Sequence, residues 1–172
     1  MSVTIDIIDQ DVFTALVTFF KTFIPAGVEI IQAQENLVAM PKGGFIAMNN
    51  VGMDRISFNV DTYSSTLQQK FILTPTNYAM QLDFYGPDSQ VWAFETQSLF
   101  RDEYATELFP ANIQPLYADN PVQIPLIDGE EQYEQRWKIT ASLQYNPILT
   151  TSQQSMLEAI VDLAPIDQTF KP

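Results

Sequence analysis

An apolar stripe at helical spacing predicts a first helix near the start of the chain. The helix would begin after Asp9 or Asp11, either of which can cap its N-terminus. Pro25 and Gly27 would end it. Four phenylalanines lie within residues 13–23, so this wide apolar face needs a cover, and we expect a sheet to provide it. The stripe consists of Val12, Leu16, Phe19 or Phe20, and Phe23.

A second helical pattern follows the turn at Gly86. Asp88 or Ser89 can cap a helix predicted from Gln90 to Phe100, and the pattern lets this helix continue towards Leu108. Trp92 lies on a flank of the helix, where an indole suits either the core or a binding surface. The residues on one face are Val91, Phe94 and Ser98, and those on the next face are Trp92 and Leu99.

Strands are predicted from two kinds of pattern. Strict alternation of apolar and polar residues is typical of a strand, because successive side chains point to opposite faces of a sheet. Short apolar runs bounded by turn residues predict further strands. Alternation marks residues 56–61, 78–85 and 136–145, and apolar runs mark residues 28–33 and 45–49, with Gly43-Gly44 as the turn between the two runs.

The pattern at the end of the chain is more ambiguous. Residues 150–159 predict a short helix capped by Thr151 or Ser152. Residues 160–166 predict a last strand at a sheet edge, since proline is confined to edges. The pattern does not separate helix from strand between positions 156 and 163. In chain order the elements favour an α+β fold: a mixed, mainly antiparallel β-sheet with two main helices packed on it.

One segment differs from the rest. Residues 110–129 contain four prolines, which exclude a helix and a central strand. A structureless loop of this length is unusual in a compact domain and is often functional. We therefore expect a long proline-rich extended loop, an arm from about residue 109 to residue 133, on a single domain that comprises residues 1–172.

Composition excludes several classes of function. The chain has 8 Lys plus Arg and 21 Asp plus Glu, a net charge of −13, and neither histidine nor cysteine. Disulfides, thiol nucleophiles, zinc sites of Cys or His and Ser-His-Asp triads are therefore impossible. The acidic balance argues against ordinary nucleic-acid binding, and a hydrophobic content of 46% argues against disorder. No stretch is long enough for a membrane helix and no secretory signal is visible, so we expect no membrane partner.

The sequence gives little support to the catalytic arrangements that need neither histidine nor cysteine. No phosphate-binding glycine motif or calcium loop occurs, and none of the five lysines lies in an S-x-x-K arrangement. Paired carboxylates could hydrolyse a substrate across a cleft, but nothing in the sequence selects a pair. We therefore expect no enzyme activity, no catalytic residue, no cofactor and no metal, with a carboxylate hydrolase as the weakest alternative.

The distribution of charged residues along the chain is more informative than any catalytic motif. Between Arg101 and Arg136 lie eight acids and no basic residue, interleaved with large apolar side chains. A solvated acidic loop is one interpretation, but the apolar anchors at proline-fixed intervals favour an arm docked on its own sheet or on a neighbouring subunit. The two arginines could pair with acids across the contact between the arm and the surface on which it docks. The acids are Asp102, Glu103, Glu107, Asp119, Asp128, Glu130, Glu131 and Glu134.

At these positions the chain resembles a known family. The resemblance rests on Pro-Ala-Gly-Val-Glu at 25–29, Leu-Phe-Arg-Asp-Glu-Tyr-Ala at 99–105, Pro-Leu-Tyr-Ala-Asp-Asn-Pro at 115–121 and Asp-Gly-Glu-Glu-Gln-Tyr-Glu-Gln-Arg-Trp at 128–137, with Tyr-Asn-Pro at 145–147. Together these stretches resemble the neck or tail terminator proteins of tailed bacteriophages, also called tail-completion proteins. The resemblance spans nearly the whole chain.

The resemblance implies that the protein is a structural component of the virion. Such proteins form a homo-oligomeric ring, commonly a hexamer, on the last ring of the tail tube and beneath the head-side connector. They end tube growth, provide the docking face for the head and, in contractile tails, meet the sheath; they assemble in the bacterial host cytoplasm. DNA passes through the channel, and an acidic lining would keep it from sticking. The alternatives are a head-completion or head–tail adaptor ring and a receptor- or carbohydrate-binding domain, since tryptophan and tyrosine can stack on sugars.

The candidate interface follows from the arm and from the resembling stretches. A closed ring needs two different faces on each subunit, and the arm is a candidate for one of them. We expect that deleting residues 110–129 leaves a folded monomer that cannot cap tubes. The candidate subunit or partner interface comprises Arg101, Asp102, Glu103, Tyr104, Pro115, Leu116, Tyr117, Asp119, Glu130, Glu131, Tyr133 and Arg136.

Overall fold

A computed structural model describes residues 3–33, 41–127 and 133–154, and the elements below are those of these ranges. The fold is α+β, as predicted, with strands more abundant than helices. In chain order the elements are β1 (Val3–Ile5), α1 (Asp9–Phe20), β2 (Glu29–Gln32), β3 (Phe45–Arg55), β4 (Val60–Ser64), β5 (Gln69–Leu73), β6 (Thr76–Tyr85), α2 (Ser89–Phe100), α3 (Glu103–Leu108), β7 (Ile113–Ala118), β8 (Val122–Gln123), β9 (Leu126–Ile127), β10 (Tyr133–Glu134), β11 (Arg136–Tyr145) and β12 (Ile148–Ser152).

The main sheet has the strand order β2-β3-β6-β11-β7, and β8 also pairs with β11. β6 and β11 form its centre and pair antiparallel without interruption from Tyr85 opposite Arg136 to Thr76 opposite Tyr145. β3 is antiparallel to β6, whereas β2 is parallel to β3. The prediction of a mixed, mainly antiparallel sheet is confirmed.

Both long helices cover the same face of this sheet. Side chains of β3, β6 and β11 that lie opposite one another in the register, such as Met48, Leu82 and Ile139, join α1 and α2 in one apolar core. On α1 the predicted stripe is fully buried at Leu16 and Phe19, and the Phe20 ring meets the Phe84 ring edge-on at 6.2 Å. The phenylalanine-rich face of α1 is thus covered by the sheet, as its width requires.

A second, separate sheet has the order β1-β12-β5-β4, with every pairing antiparallel. β12 follows β11 after Pro147, and β1 precedes α1, so both ends of the described chain meet in this sheet. The Tyr145 hydroxyl donates to the Ile7 carbonyl at 2.7 Å and ties the entry of α1 to the end of β11. β9 and β10 pair as a short two-stranded ladder.

Several predicted boundaries in the first half of the chain are wrong. The residue that caps α1 is Ile8, and Asp11 acts from the third helical position by accepting the Ile8 N–H at 2.7 Å. β2 and β3 pair in parallel, so no hairpin turn can join them, and Gly43-Gly44 is a bend before β3. The strand predicted over residues 56–61 is also wrong, because residues 56–59 link β3 to β4 and leave Phe58 90% exposed.

The second half of the chain also departs from the predictions. α2 ends at Phe100, and α3 is a separate helix capped by Asp102. The segment predicted to lack regular structure contains β7, an edge strand in which Pro115 is tolerated because an edge strand has a side without a partner. The helix predicted over residues 150–159 does not begin where expected, since β12 runs to Ser152, and residues 155–159 lie outside the described residues. The strand predicted over 160–166 lies outside the described residues.

Candidate subunit and partner interface

Arg101 joins the second helix to the arm. It follows α2 directly, and its Nε donates to the Ala118 carbonyl oxygen at 3.0 Å, while its Nη2 donates to the same oxygen. Ala118 is the buried last residue of β7. One guanidinium therefore fixes the end of the edge strand against the end of the helix, and it binds a carbonyl where an acid was expected.

The stretch after Arg101 folds as a capped short helix. The Asp102 carboxylate accepts the Tyr104 N–H at 3.0 Å, which is the usual role of aspartate at a helix N-terminus. Glu103 and Tyr104 are exposed, and Ala105 is buried. Phe109, which ends the helix, packs its ring 5.7 Å from Phe19. The helix α3 thus packs against the core through Ala105 and Phe109 and exposes Glu103 and Tyr104 to solvent.

The strand β7 divides the arm into buried and exposed residues. Ile113 and Pro115 are buried, whereas Leu116 is 42% exposed and Tyr117 is 48% exposed. The register shifts here, with Pro115 opposite Leu143 and Tyr117 opposite Ser142, so Leu116 is an extra residue. A bulge of this kind changes the direction of side chains, which explains two consecutive outward residues.

The arm is therefore docked on its own sheet over residues 113–119. The Asp119 N–H donates to the Thr140 carbonyl at 2.9 Å and continues the pairing past β7. This corrects the expectation for the deletion of residues 110–129, because that deletion would also remove Ile113 and Ala118 from the core. The arm must instead be tested by substitution of its exposed residues.

Arg136 forms an ion pair within the chain. Its Nη2 lies 3.0 Å and its Nε 3.1 Å from Asp83 Oδ1 on the neighbouring strand β6. Its guanidinium also lies over the Tyr85 ring, 5.6 Å from the centroid. Burial raises the pKa of Tyr85, and the positive charge of Arg136 partly opposes that rise. The acid that pairs with Arg136 thus belongs to the main sheet.

The remaining candidate residues are only partly described. Glu130 and Glu131 lie outside the described residues, and Tyr133 belongs to β10, where it is opposite Ile127. Arg136 lies at the opposite end of β11 from the part of β7 that carries Leu116. The structure thus brings Arg101 to the end of β7, whereas Arg136 lies apart from both, at the start of β11, and pairs with Asp83 of β6.

An apolar concavity beside the arm was missed by the sequence reasoning. It encloses about 430 Å³ and is lined by Gln90, Val91, Phe94, Pro121 and Trp137. Phe94 is 65% exposed on the outer face of α2, and Gln97 on that face donates to Asn120 Oδ1 at 2.8 Å. We call this concavity the α2 pocket.

The sequence did contain a signal for the α2 pocket. Two neighbouring faces of α2 carry large apolar residues, and only one of them could face the core. The face that carries Trp92 turns to the core, because Trp92 is buried, whereas Val91 on the neighbouring face is exposed. Trp137, the second residue of β11, is half-buried: it packs against the core and also lines the pocket.

The described ranges also bear on metal sites and membrane spans. No group of three or more acidic side chains there is arranged to hold a metal ion. Among the same residues, no helix is both long and apolar enough to cross a membrane.

Comparison with known families identifies the kind of protein that this is. A profile of phage neck terminator proteins matches residues 10–171, which is nearly the whole chain. The chain belongs to this family. The prediction made from the resembling stretches is therefore confirmed. No curated protein matches the sequence.

A solved structure shares the fold of this terminator family member. The PVC sheath/tube terminator of an extracellular contractile injection system, determined by cryo-EM in its extended state, matches with a TM-score of 0.51 and 8% identity. The match covers 96% of this chain and 66% of that chain, so this chain spans just under two thirds of its length. At this identity the likeness is one of fold.

Proposed function

We propose that this chain forms a ring that caps the end of the phage tail tube, ends tail growth and provides the face on which the head docks. The match to phage neck terminators over residues 10–171 carries this proposal. The ring consists of copies of this chain, with six as the number that the resemblance implies. Its role is structural and not catalytic, and DNA crosses its channel without specific contacts.

The partners follow from the position of such a ring. The tail tube protein lies on one side, and head-side neck or connector proteins lie on the other. The solved relative is a terminator of both sheath and tube, which supports a contact with a tail sheath where the tail is contractile. Assembly then takes place in the host cytoplasm and the product belongs to the virion.

Exposed apolar residues beside the arm support a contact surface. Leu116 and Tyr117 on β7 and Phe94 at the α2 pocket expose large apolar side chains on a chain with a net charge of −13. Aromatic residues at the centre of an interface contribute much of its binding energy. We infer that this surface contacts a neighbouring copy or the tube, together with the exposed Glu103 and Tyr104.

Particles that lack this protein test the proposal against the nearest alternative. Loss of a terminator should give tails of abnormal length and tails without heads. Loss of a head-completion or adaptor ring would instead give normal free tails beside unstable heads. Electron micrographs of the mutant lysate distinguish the two, and restoration by the wild-type chain supplied in trans is the control.

A further inference from the structure

The second sheet lies outside the buried core of the described fold. None of the residues of β1, β4, β5 and β12 belongs to the buried core, although these strands carry Val3, Ile5, Val60, Phe71 and Ile72. β5 is half-buried throughout, and β1 and most of β4 are exposed. An apolar sheet that adds nothing to the core of its own subunit has its stabilising contacts elsewhere.

Both edges of this sheet are open within the described residues. β1 pairs with β12 alone, and β4 pairs with β5 alone. An open edge exposes a row of N–H and C=O groups that can pair with another strand, and proteins normally block such an edge with lysine, proline or a covering segment. β1 and β4 contain neither lysine nor proline.

The directions of the strands suit a head-to-tail contact between copies. The four strands alternate in direction, so β1 and β4 run opposite to each other. When two copies lie side by side in the same orientation, β4 of one is therefore antiparallel to β1 of the next. An even number of strands is what makes this possible. Because β1 and β4 are different surfaces, the contact is heterologous and can propagate around a closed ring.

The register of the sheet identifies the residues that would meet. Directly opposed residues share a face, so each row across the sheet continues into the next copy. The central row runs Thr4, Thr150, Phe71, Thr62, and the next row runs Ile5, Leu149, Ile72, Asp61.

Charge favours a second copy as the partner. The four strands contain one acid, Asp61, and one base, Lys70, and these pair with each other at 2.7 Å, so the net charge of the strands is 1 − 1 = 0. The whole chain carries −13. Copies of so acidic a chain repel one another over most of their surface, and this neutral sheet is a place where they can approach.

We propose that β4 of one subunit pairs antiparallel with β1 of its neighbour and thereby joins the second sheets of adjacent copies into one continuous sheet. This inference rests on the proposed ring and specifies one of its contacts. Closure of the ring leaves no open edge, since a closed sheet has none.

Engineered disulfides test this contact, and the chain suits them because it has no cysteine of its own. Thr4→Cys is combined in turn with Val60→Cys, Thr62→Cys and Ser64→Cys, three positions on one face that allow the register to shift by two residues in either direction. Within one subunit, positions 4 and 62 are three strand spacings apart, about 14 Å, which is too far for a disulfide. Any bond between them therefore joins two copies.

Oxidation is carried out on the full-length chain under conditions in which rings are sought by negative-stain microscopy. At least one of the three pairs should give a ladder of covalent multimers on a non-reducing gel. A mixture of two single-cysteine variants should stop at dimers. The matched control, Thr62→Cys with Thr106→Cys on the exposed face of α3, should stay monomeric. Rings without a ladder would overturn the edge pairing and leave the ring intact; neither rings nor a ladder would overturn both proposals.

Hydrogen exchange gives a second measurement that needs no variant. Amides of residues 60–64 and 3–5 should gain protection when monomers form rings. If the amides of β4 that point away from β5 are already protected in the monomer, another part of the same chain, such as residues 155–172, covers that edge. This result would overturn the proposal.

Discussion

Arg136 and Asp83 form an ion pair across the two central strands of the main sheet, with Arg136 Nη2 3.0 Å from Asp83 Oδ1. The Asp83 side chain is only 5% exposed and also accepts a hydrogen bond from Gln81 Nε2 at 2.6 Å. Arg136 is the first residue of β11, directly after the arm. The pair therefore holds the strand that receives the arm in register with β6.

Removal of Arg136 should destabilise the subunit, because it leaves a buried carboxylate without its cation. We expect Arg136→Met to lower the free energy of unfolding by about 2–4 kcal/mol, close to the loss seen when one partner of a buried pair is removed. The exposed pair of Lys70 with Asp61 provides the control, and Lys70→Met should cost less than about 1 kcal/mol. Urea unfolding measures both, and equal losses would contradict the assigned role of Arg136.

Gly86 should not tolerate a side chain. Its φ is +103°, and a Cβ there would lie 2.8 Å from the Gly44 Cα, a backbone atom. Gly86→Ala should therefore lower the free energy of unfolding by more than about 1 kcal/mol, the usual cost of a left-handed backbone position for alanine. At Gly27 a Cβ would meet nothing within 4 Å. Gly27→Ala should be near neutral in the same thermal or urea measurement.

The stability of the subunit should fall at alkaline pH. Burial, and next the hydrogen bond of its hydroxyl to Asp9, raise the pKa of Tyr78 above its ordinary value. Because the folded tyrosine holds its proton more tightly than the unfolded one, stability is fully present below the unfolded pKa of about 10 and is lost as pH rises above it.

Tyr78→Phe should reduce this alkaline slope, as measured by urea unfolding between neutral and strongly alkaline pH. Burial also raises the pKa of Tyr145, so part of the slope should remain. Tyr117→Phe, at a half-exposed position on β7, is the matched control and should keep the wild-type slope. An unchanged slope in Tyr78→Phe would show that this proton is not linked to folding.

Two phenylalanines of α2 should separate stability from assembly. Phe94 is exposed at the α2 pocket, so Phe94→Ala should change the free energy of unfolding by no more than about 0.5 kcal/mol. Phe100 is fully buried, so Phe100→Ala should cost about 3–5 kcal/mol. Ring formation and tube capping, followed by negative-stain microscopy, should be lost in the folded Phe94→Ala protein. Normal capping by this variant would remove the α2 pocket from the interface.

The parts of the fold that the sequence predicted are those with strong periodicity. The alternation predicted over residues 78–85 and 136–145 lies in β6 and β11, because one face of each strand lies on the core, and the bounds of both strands are close to those predicted. β7 was missed since Pro115 and the bulge at Leu116 interrupt the alternation. β12 was missed because it belongs to a sheet that contributes no fully buried face to the core, so that no apolar periodicity is required.

The interface residues were harder to predict for a different reason. The pairing of Arg136 with Asp83 joins residues 53 positions apart, and only the register of two strands brings them together. The docking of Arg101 on a carbonyl of β7 likewise depends on where the edge strand ends. The sequence marked both arginines as the bounds of the acidic run but could not show that each makes its contacts within the same chain.

The most direct test of the central claim is the addition of purified wild-type chain to growing tail tubes. If the chain is a terminator ring, tubes observed by electron microscopy should carry a ring at one end and stop lengthening as the chain is added. A folded variant that cannot cap tubes, such as Phe94→Ala, should let them continue to lengthen as they do without added protein. Tubes that bind no ring and continue to lengthen in the presence of the wild-type chain would contradict the account.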